Sequence, residues 1–124
     1  MEIGCYEVWL TPDGARDPLL RGFPPRFQVF HWHGDTFDVP EGASLLVAGE
    51  ACSNQLFRKG TTVAVLFHLE VPPSDVALWA DQYSHELDSV SKEKQMIVEE
   101  CRSCATQMRR LSDLLLGNFF ALTG

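Results

Sequence analysis

A change of period at Pro72-Pro73 constrains this chain more than any other feature. Up to that point it reads as strands. Glu2 to Leu10 alternates and is heavy in Val, Ile and aromatic residues, and Thr11-Pro12-Asp13-Gly14 closes it as a turn. After a Gly/Pro loop at Gly22 to Pro25, Phe27 to His33 forms a second strand stopped by Gly34, and Ser44 to Ala48 and Leu56 to Arg58 are shorter ones. Thr61 to Phe67 is apolar on both faces, the pattern of a central strand covered on both sides. Beyond the prolines Ser74 is the expected N-cap, and Val76, Trp79, Tyr83 and Leu87 follow at helical spacing. A polar break at Asp88 to Ser91 comes next. Then Ile97, Cys101, Cys104, Met108, Leu111, Leu115, Phe119 and Leu122 make one apolar stripe, a long helix with Gly117 as its candidate interruption.

A chain of 124 residues, 45% of them apolar, suffices for a single modest core. A net charge of -7 repels phosphate backbones and anionic lipid, which argues against nucleic acid and membrane surfaces as partners. The N-terminal residues lack the basic stretch, apolar core and cleavage site of a targeting signal, and no apolar run is long enough for a membrane span. The four cysteines, Cys5, Cys52, Cys101 and Cys104, do not resemble a secreted disulfide scaffold and are read as reduced, in a cytoplasmic protein.

Three clusters carry candidate chemistry. His68 and Glu70 lie two apart, so an extended backbone sends both side chains to the same face. A carboxylate beside an imidazole fixes its tautomer and stabilises the imidazolium, as a nucleophile's general base requires. On spacing alone, a strand end whose polar side chains meet solvent is the simpler reading. His31 and His33 also alternate onto one face with Asp35 close by, a pattern that suits divalent metals. The Glu that usually follows such a pattern in double-stranded β-barrel metal proteins is absent at the expected distance, so a structural turn is preferred and no metal or other cofactor is expected. Cys101-x-x-Cys104 falls inside the apolar stripe and reads as core, while the acidic stretch Glu93 to Glu100 reads as a solvated helix face.

Four blocks in order point further. E-I-G-x-Y (Glu2 to Tyr6), F-x-W-H-G-D-T-F-D-x-P-x-G (Phe30 to Gly42), E-A-C-x-N-Q-x-F-R (Glu50 to Arg58) and F-H-x-E-V (Phe67 to Val71) resemble the second half of class I glutamine amidotransferases. The likeness is greatest to stand-alone proteins similar to the glutaminase domain of GMP synthase. It covers residues 2 to 87 closely and extends loosely through the last helix. In that family a cysteine attacks the side-chain amide of glutamine, ammonia leaves, and water hydrolyses the thioester. The resemblance implies His68 as base, Glu70 as its orienter, and His33, Gly34 and Asp35 as parts of the glutamine pocket. It assigns Asn54 to Phe57 to shaping the sheet.

The nucleophile of the family sits in a Gly-x-Cys-x-Gly elbow, a strained turn whose backbone N–H groups stabilise the oxyanion. None of the four cysteines has that context, and the family places the elbow before the E-I-G block. The resemblance therefore implies a partial α/β fold: an open mixed sheet without its N-terminal strands and elbow, followed by C-terminal helices. Residues 1–88 would be the second half of the amidotransferase-like domain and 89–124 a helical extension packing on it. Such a chain would be inactive alone and would take L-glutamine only when an N-terminal half completes it. Exposed strand edges and apolar faces would favour self-association or a partner polypeptide. A non-catalytic remnant or interaction module of the same fold is the alternative, and a metal-binding β domain at His31, His33 and Asp35 the second.

Overall fold

The computed structural model describes residues 2–34, 36–50, 52–70 and 72–123. Five strands, β1 (Glu2–Leu10), β2 (Arg26–His33), β3 (Ser44–Gly49), β4 (Leu56–Lys59) and β5 (Thr62–Val65), form one sheet in the order β2-β1-β3-β4-β5. The β1–β2 pair is the longest, running from Glu2 opposite His33 to Trp9 opposite Arg26. The sheet was expected to be open and mixed; among the described strands every pairing is antiparallel.

The sheet curls into a half-barrel, which changes the reading of Thr61 to Phe67. β5 is an edge strand rather than a central one, with Val65 40% exposed. Leu66 N still donates to Gln55 O at 2.9 Å, on the β4 side. Two residues later His68 exchanges backbone hydrogen bonds with Phe30 of β2, at 2.8 and 3.0 Å. A chain can pass from one edge of a five-stranded sheet to the other in so few residues only if the two edges have curled towards each other. The apolar run therefore serves two places: half-buried Val63 and Ala64 on one edge, buried Phe67 and Leu69 at the other.

Thr11-Pro12-Asp13-Gly14, expected as a turn, begins a short helix, α1 (Pro12–Arg16). Thr11 is its N-cap: Oγ1 accepts from Gly14 N at 3.0 Å and donates to Leu45 O at 2.6 Å, and Pro12 occupies the first turn without wasting a donor. The Thr11 amide donates to Leu46 O at 3.0 Å, at the register shift between Leu45 and Val47 in β3. Gly14 is required by this close approach. A Cβ there would overlap the Leu46 carbonyl oxygen and stand 2.9 Å from its carbon.

After a 3-10 turn at Pro18–Leu20 and the strands, three helices follow: α2 (Pro73–Gln82), α3 (Ser84–Ser89) and α4 (Lys94–Thr123). Ser74 is not the N-cap of α2. Pro72 holds that position without a side-chain bond, because the fixed φ of Pro73 suits the first helical residue and draws the helix start back by two. Tyr83 ends α2 and is 46% exposed, outside the buried stripe. The long helix runs through Gly117 without a break, and a Cβ at that position would meet nothing within 4 Å.

The helix α4 packs across β1, β2, the 3-10 turn and α2. Its Ile97, Cys101, Met108 and Leu111 belong to the same buried cluster as Ile3, Phe30, Leu46 and Leu56. Near its far end the Asn118 amide donates to Leu19 O and Arg21 O at 2.9 and 3.0 Å, tying the helix to the 3-10 turn. Glu100 departs from the solvated face assigned to Glu93 to Glu100: it accepts from the Cys5 amide at 3.3 Å and from Lys92 Nζ at 3.4 Å. No helix among the described residues is long and apolar enough to cross a membrane.

Candidate functional site

The backbone pair with Phe30 fixes His68 at the outer edge of β2, where its ring meets Trp79 edge-on at a centroid distance of 5.5 Å. Its Nδ1 lies 2.9 Å from Glu70 Oε1, and the other carboxylate oxygen, Oε2, accepts from the Leu69 amide at 3.0 Å. The carboxylate is thus held from two sides, by imidazole and by backbone. Partial burial pushes the Glu70 carboxyl up. Hydrogen bonds from His68 and from the Glu70 and Leu69 amides, with the attraction of the His68 charge, outweigh it and leave the group below the usual carboxylate range. With Nδ1 engaged, Nε2 is the nitrogen left for proton transfer. This is the geometry of a base and its orienter, with the imidazole only 34% exposed.

Beside His68 lies a cleft of about 380 Å³ walled by Trp32, Trp79, Tyr83 and Glu86. Trp32 Nε1 donates to Glu86 Oε2 at 2.7 Å, which pins the indole, and its ring meets Trp79 edge-on at 6.2 Å. Sequence reasoning placed Trp79 and Tyr83 on a packing stripe and passed over Glu86. Their role as walls follows from β2 and α2 meeting at Phe30 and Trp32, which periodicity does not reveal.

The residues from His31 to Asp35 divide. Phe30 and Trp32 face α2, so strand alternation turns His31 and His33 to the other side of β2. There the two imidazole rings meet at 4.7 Å, and His33 Nε2 lies 3.1 Å from Glu2 Oε1. His31 is 1% exposed, and burial first, then the His33 and His68 charges, push its pKa down to about 3, so it is neutral. Gly34 is an exposed bend after β2, and Asp35 lies outside the described residues. Glu2 was not singled out as a partner of these histidines. Only the register of β1 on β2 places it opposite His33.

The sulfurs of Cys5 in β1 and Cys104 in α4 face one another, because α4 crosses β1 and brings together residues 99 apart in sequence. Cys52 is partly buried and Cys101 is fully buried. Burial pushes the Cys101 thiol up to about 11, as suits an inert core residue.

No family model matches the chain. A glutamine amidotransferase-like protein of Salmonella typhimurium (strain LT2) is 37% identical over 62 residues, 50% of this chain and 26% of that protein. The crystal structure of a glutamine amidotransferase from Thermotoga maritima superposes with a TM-score of 0.85 at 33% identity, covering 95% of this chain and 50% of the other. A glutamine amidotransferase from Methylobacillus flagellatus shares the fold, with a TM-score of 0.83 at 20% identity over 98% of this chain and 52% of the other. The chain spans about half the length of these solved relatives, and its matched stretch covers about a quarter of the Salmonella one.

Proposed function

We propose, from the premise that this chain carries about half of a glutamine amidotransferase fold, that it supplies the general base and orienter of a class I glutaminase. The observation that carries the reading is the 2.9 Å contact between His68 Nδ1 and Glu70 Oε1, with the carboxylate also held by the Leu69 amide. A cysteine on another segment or polypeptide provides the nucleophile. His68 Nε2 takes the thiol proton as sulfur attacks the glutamine amide carbon, then delivers it to the departing ammonia. It next activates water to hydrolyse the thioester, while Glu70 holds the Nδ1–H tautomer and stabilises the imidazolium. The turn at His33, Gly34 and Asp35 contributes to the glutamine pocket in this reading partly through backbone groups, on the strength of the family resemblance. A relation to the glutaminase domain of GMP synthase belongs to the same proposal.

The test is complementation. The 124-residue chain alone should release no ammonia from glutamine. Co-expression with the elbow-bearing first half of the Thermotoga relative should restore release and yield a glutamyl thioester detectable by mass spectrometry. In the restored complex His68→Ala should slow turnover roughly a hundredfold or more. Ammonia release that survives His68→Ala, or a well-formed complex without activity, would overturn the assignment.

A second reading, a non-catalytic interaction module, draws on exposed apolar side chains: Val65 on the β5 edge at 40%, and Leu116 and Phe120 on α4 at 52% and 64%. A monodisperse monomer in light scattering would count against self-association through these surfaces.

A further inference from the structure

We propose that Glu2, His31 and His33 together bind one divalent first-row transition-metal ion, of the Zn2+ class, on the side of β2 turned away from Trp79. The site is distinct from the His68–Glu70 pair and does not depend on the glutaminase reading.

The argument begins with the strands. His31 and His33 are two apart in β2 and share a side, and the β1–β2 register sets Glu2 directly opposite His33. Two imidazoles and a carboxylate thus converge from adjacent strands, with donor atoms all within 4.8 Å of one another. Ligands at about 2.1 Å from a common ion stand roughly 3 Å apart when adjacent. Glu2 Oε1 and His33 Nε2 are already 3.1 Å apart, and the His31 donor lies within 4.8 Å of both.

Burial supplies an independent observation. His31 is 1% exposed, and its Nδ1 is buried with no hydrogen-bond partner among the described residues. A buried polar atom left in that state is destabilising, and a metal bond would remove the cost. Gln55, equally buried, leaves its Oε1 without a partner while its amide nitrogen donates to Cys52 O at 2.8 Å. Gln55, Glu2 and His31 line one cavity of about 430 Å³, with Tyr6 and Gly49. Three protein donors leave the ion a position for water.

The donor set decides the class of ion. Two imidazoles with one carboxylate suit Zn2+, Co2+ and similar ions, whereas Mg2+ and Ca2+ prefer an all-oxygen shell. Asp35, which the bare sequence pattern offered as third ligand, is not needed, because Glu2 arrives from the neighbouring strand.

The experiment uses the full chain without a histidine tag, stripped with chelator and titrated calorimetrically with Zn2+, Co2+ and Mg2+ in separate arms. One equivalent of Zn2+ and of Co2+ should bind, and no Mg2+. His31→Gln and Glu2→Gln should each weaken Zn2+ binding at least about tenfold, while His85→Gln, on the exposed surface of α3, should leave it unchanged. X-ray absorption of the Zn2+-loaded wild-type chain reads the ligands without any variant, and should give two imidazoles and oxygen with no sulfur. Absence of stoichiometric binding, sulfur in the shell, equal affinity for Mg2+, or full affinity in a folded His31→Gln chain would each overturn the proposal.

Discussion

Replacing Gly14 by alanine sets two opposing effects against each other. In a helix whose surroundings are open, the change stabilises by about 1 kcal/mol, because alanine loses less backbone freedom. Gly14 is not in such a place. Its new Cβ would stand 2.9 Å from the Leu46 carbonyl carbon and 3.2 Å from its Cα, and would overlap the oxygen. These are backbone atoms and cannot rotate aside. Restoring an ordinary carbon contact of about 3.5 Å requires α1 to lift from β3 by roughly 1 Å. Lifting strains the Thr11 N to Leu46 O bond at 3.0 Å and the Thr11 Oγ1 to Leu45 O bond at 2.6 Å. Each is worth about 0.5–1.5 kcal/mol net, and overpacking adds about 1–3 kcal/mol. After the helical gain is subtracted, the loss is about 1–3 kcal/mol, a fall in Tm of roughly 5–10 °C for a domain of this size. Gly117→Ala is the matched control, since its Cβ meets nothing within 4 Å and only the favourable term acts. Urea unfolding followed by circular dichroism should therefore show Gly14→Ala below wild type and Gly117→Ala above it. If both substitutions raise the midpoint, the close approach of α1 to β3 is wrong.

Met108, 1% exposed on α4 and part of the sheet's core, should cost about 2–5 kcal/mol when cut to alanine; a loss below 1 kcal/mol in urea unfolding would mean that α4 is not packed as described. His31 has a folded pKa of about 3 against 6.5 unfolded, so the unfolded chain binds more protons between these values. Stability is then complete above pH 6.5 and falls as the pH drops towards 3, by up to about 1.4 kcal/mol per pH unit. Measured in chelator, His31→Gln should flatten that slope, and an unchanged slope would contradict the buried neutral imidazole. Glu70 has a folded pKa below its ordinary value, so its contribution is present above the normal carboxylate range and lost as the pH falls through the folded value. The difference in urea midpoint between wild type and Glu70→Gln should be small, because the carboxylate is 65% exposed, and should vanish in acid.

Local pattern alone determined a good part of this protein. Alternation from Glu2 to Leu10 and from Phe27 to His33 marks β1 and β2 to within a residue, and the stripe from Ile97 to Leu111 marks the buried face of α4. The two-residue spacing of His68 and Glu70 marked them as a candidate pair, and the structure holds imidazole and carboxylate 2.9 Å apart. These features are legible because side-chain direction repeats along a strand or a helix and depends only on near neighbours. Tertiary structure decided the rest. It curled the sheet so that β5 became an edge while His68 reached β2, it set Glu2 opposite His33, and it brought Glu100 and Cys104 of α4 to β1. Each of these joins residues far apart in the chain, and no local period encodes which partner a strand edge or a helix face will meet. The choice is made by the register that buries the most apolar surface once the whole chain has closed on itself.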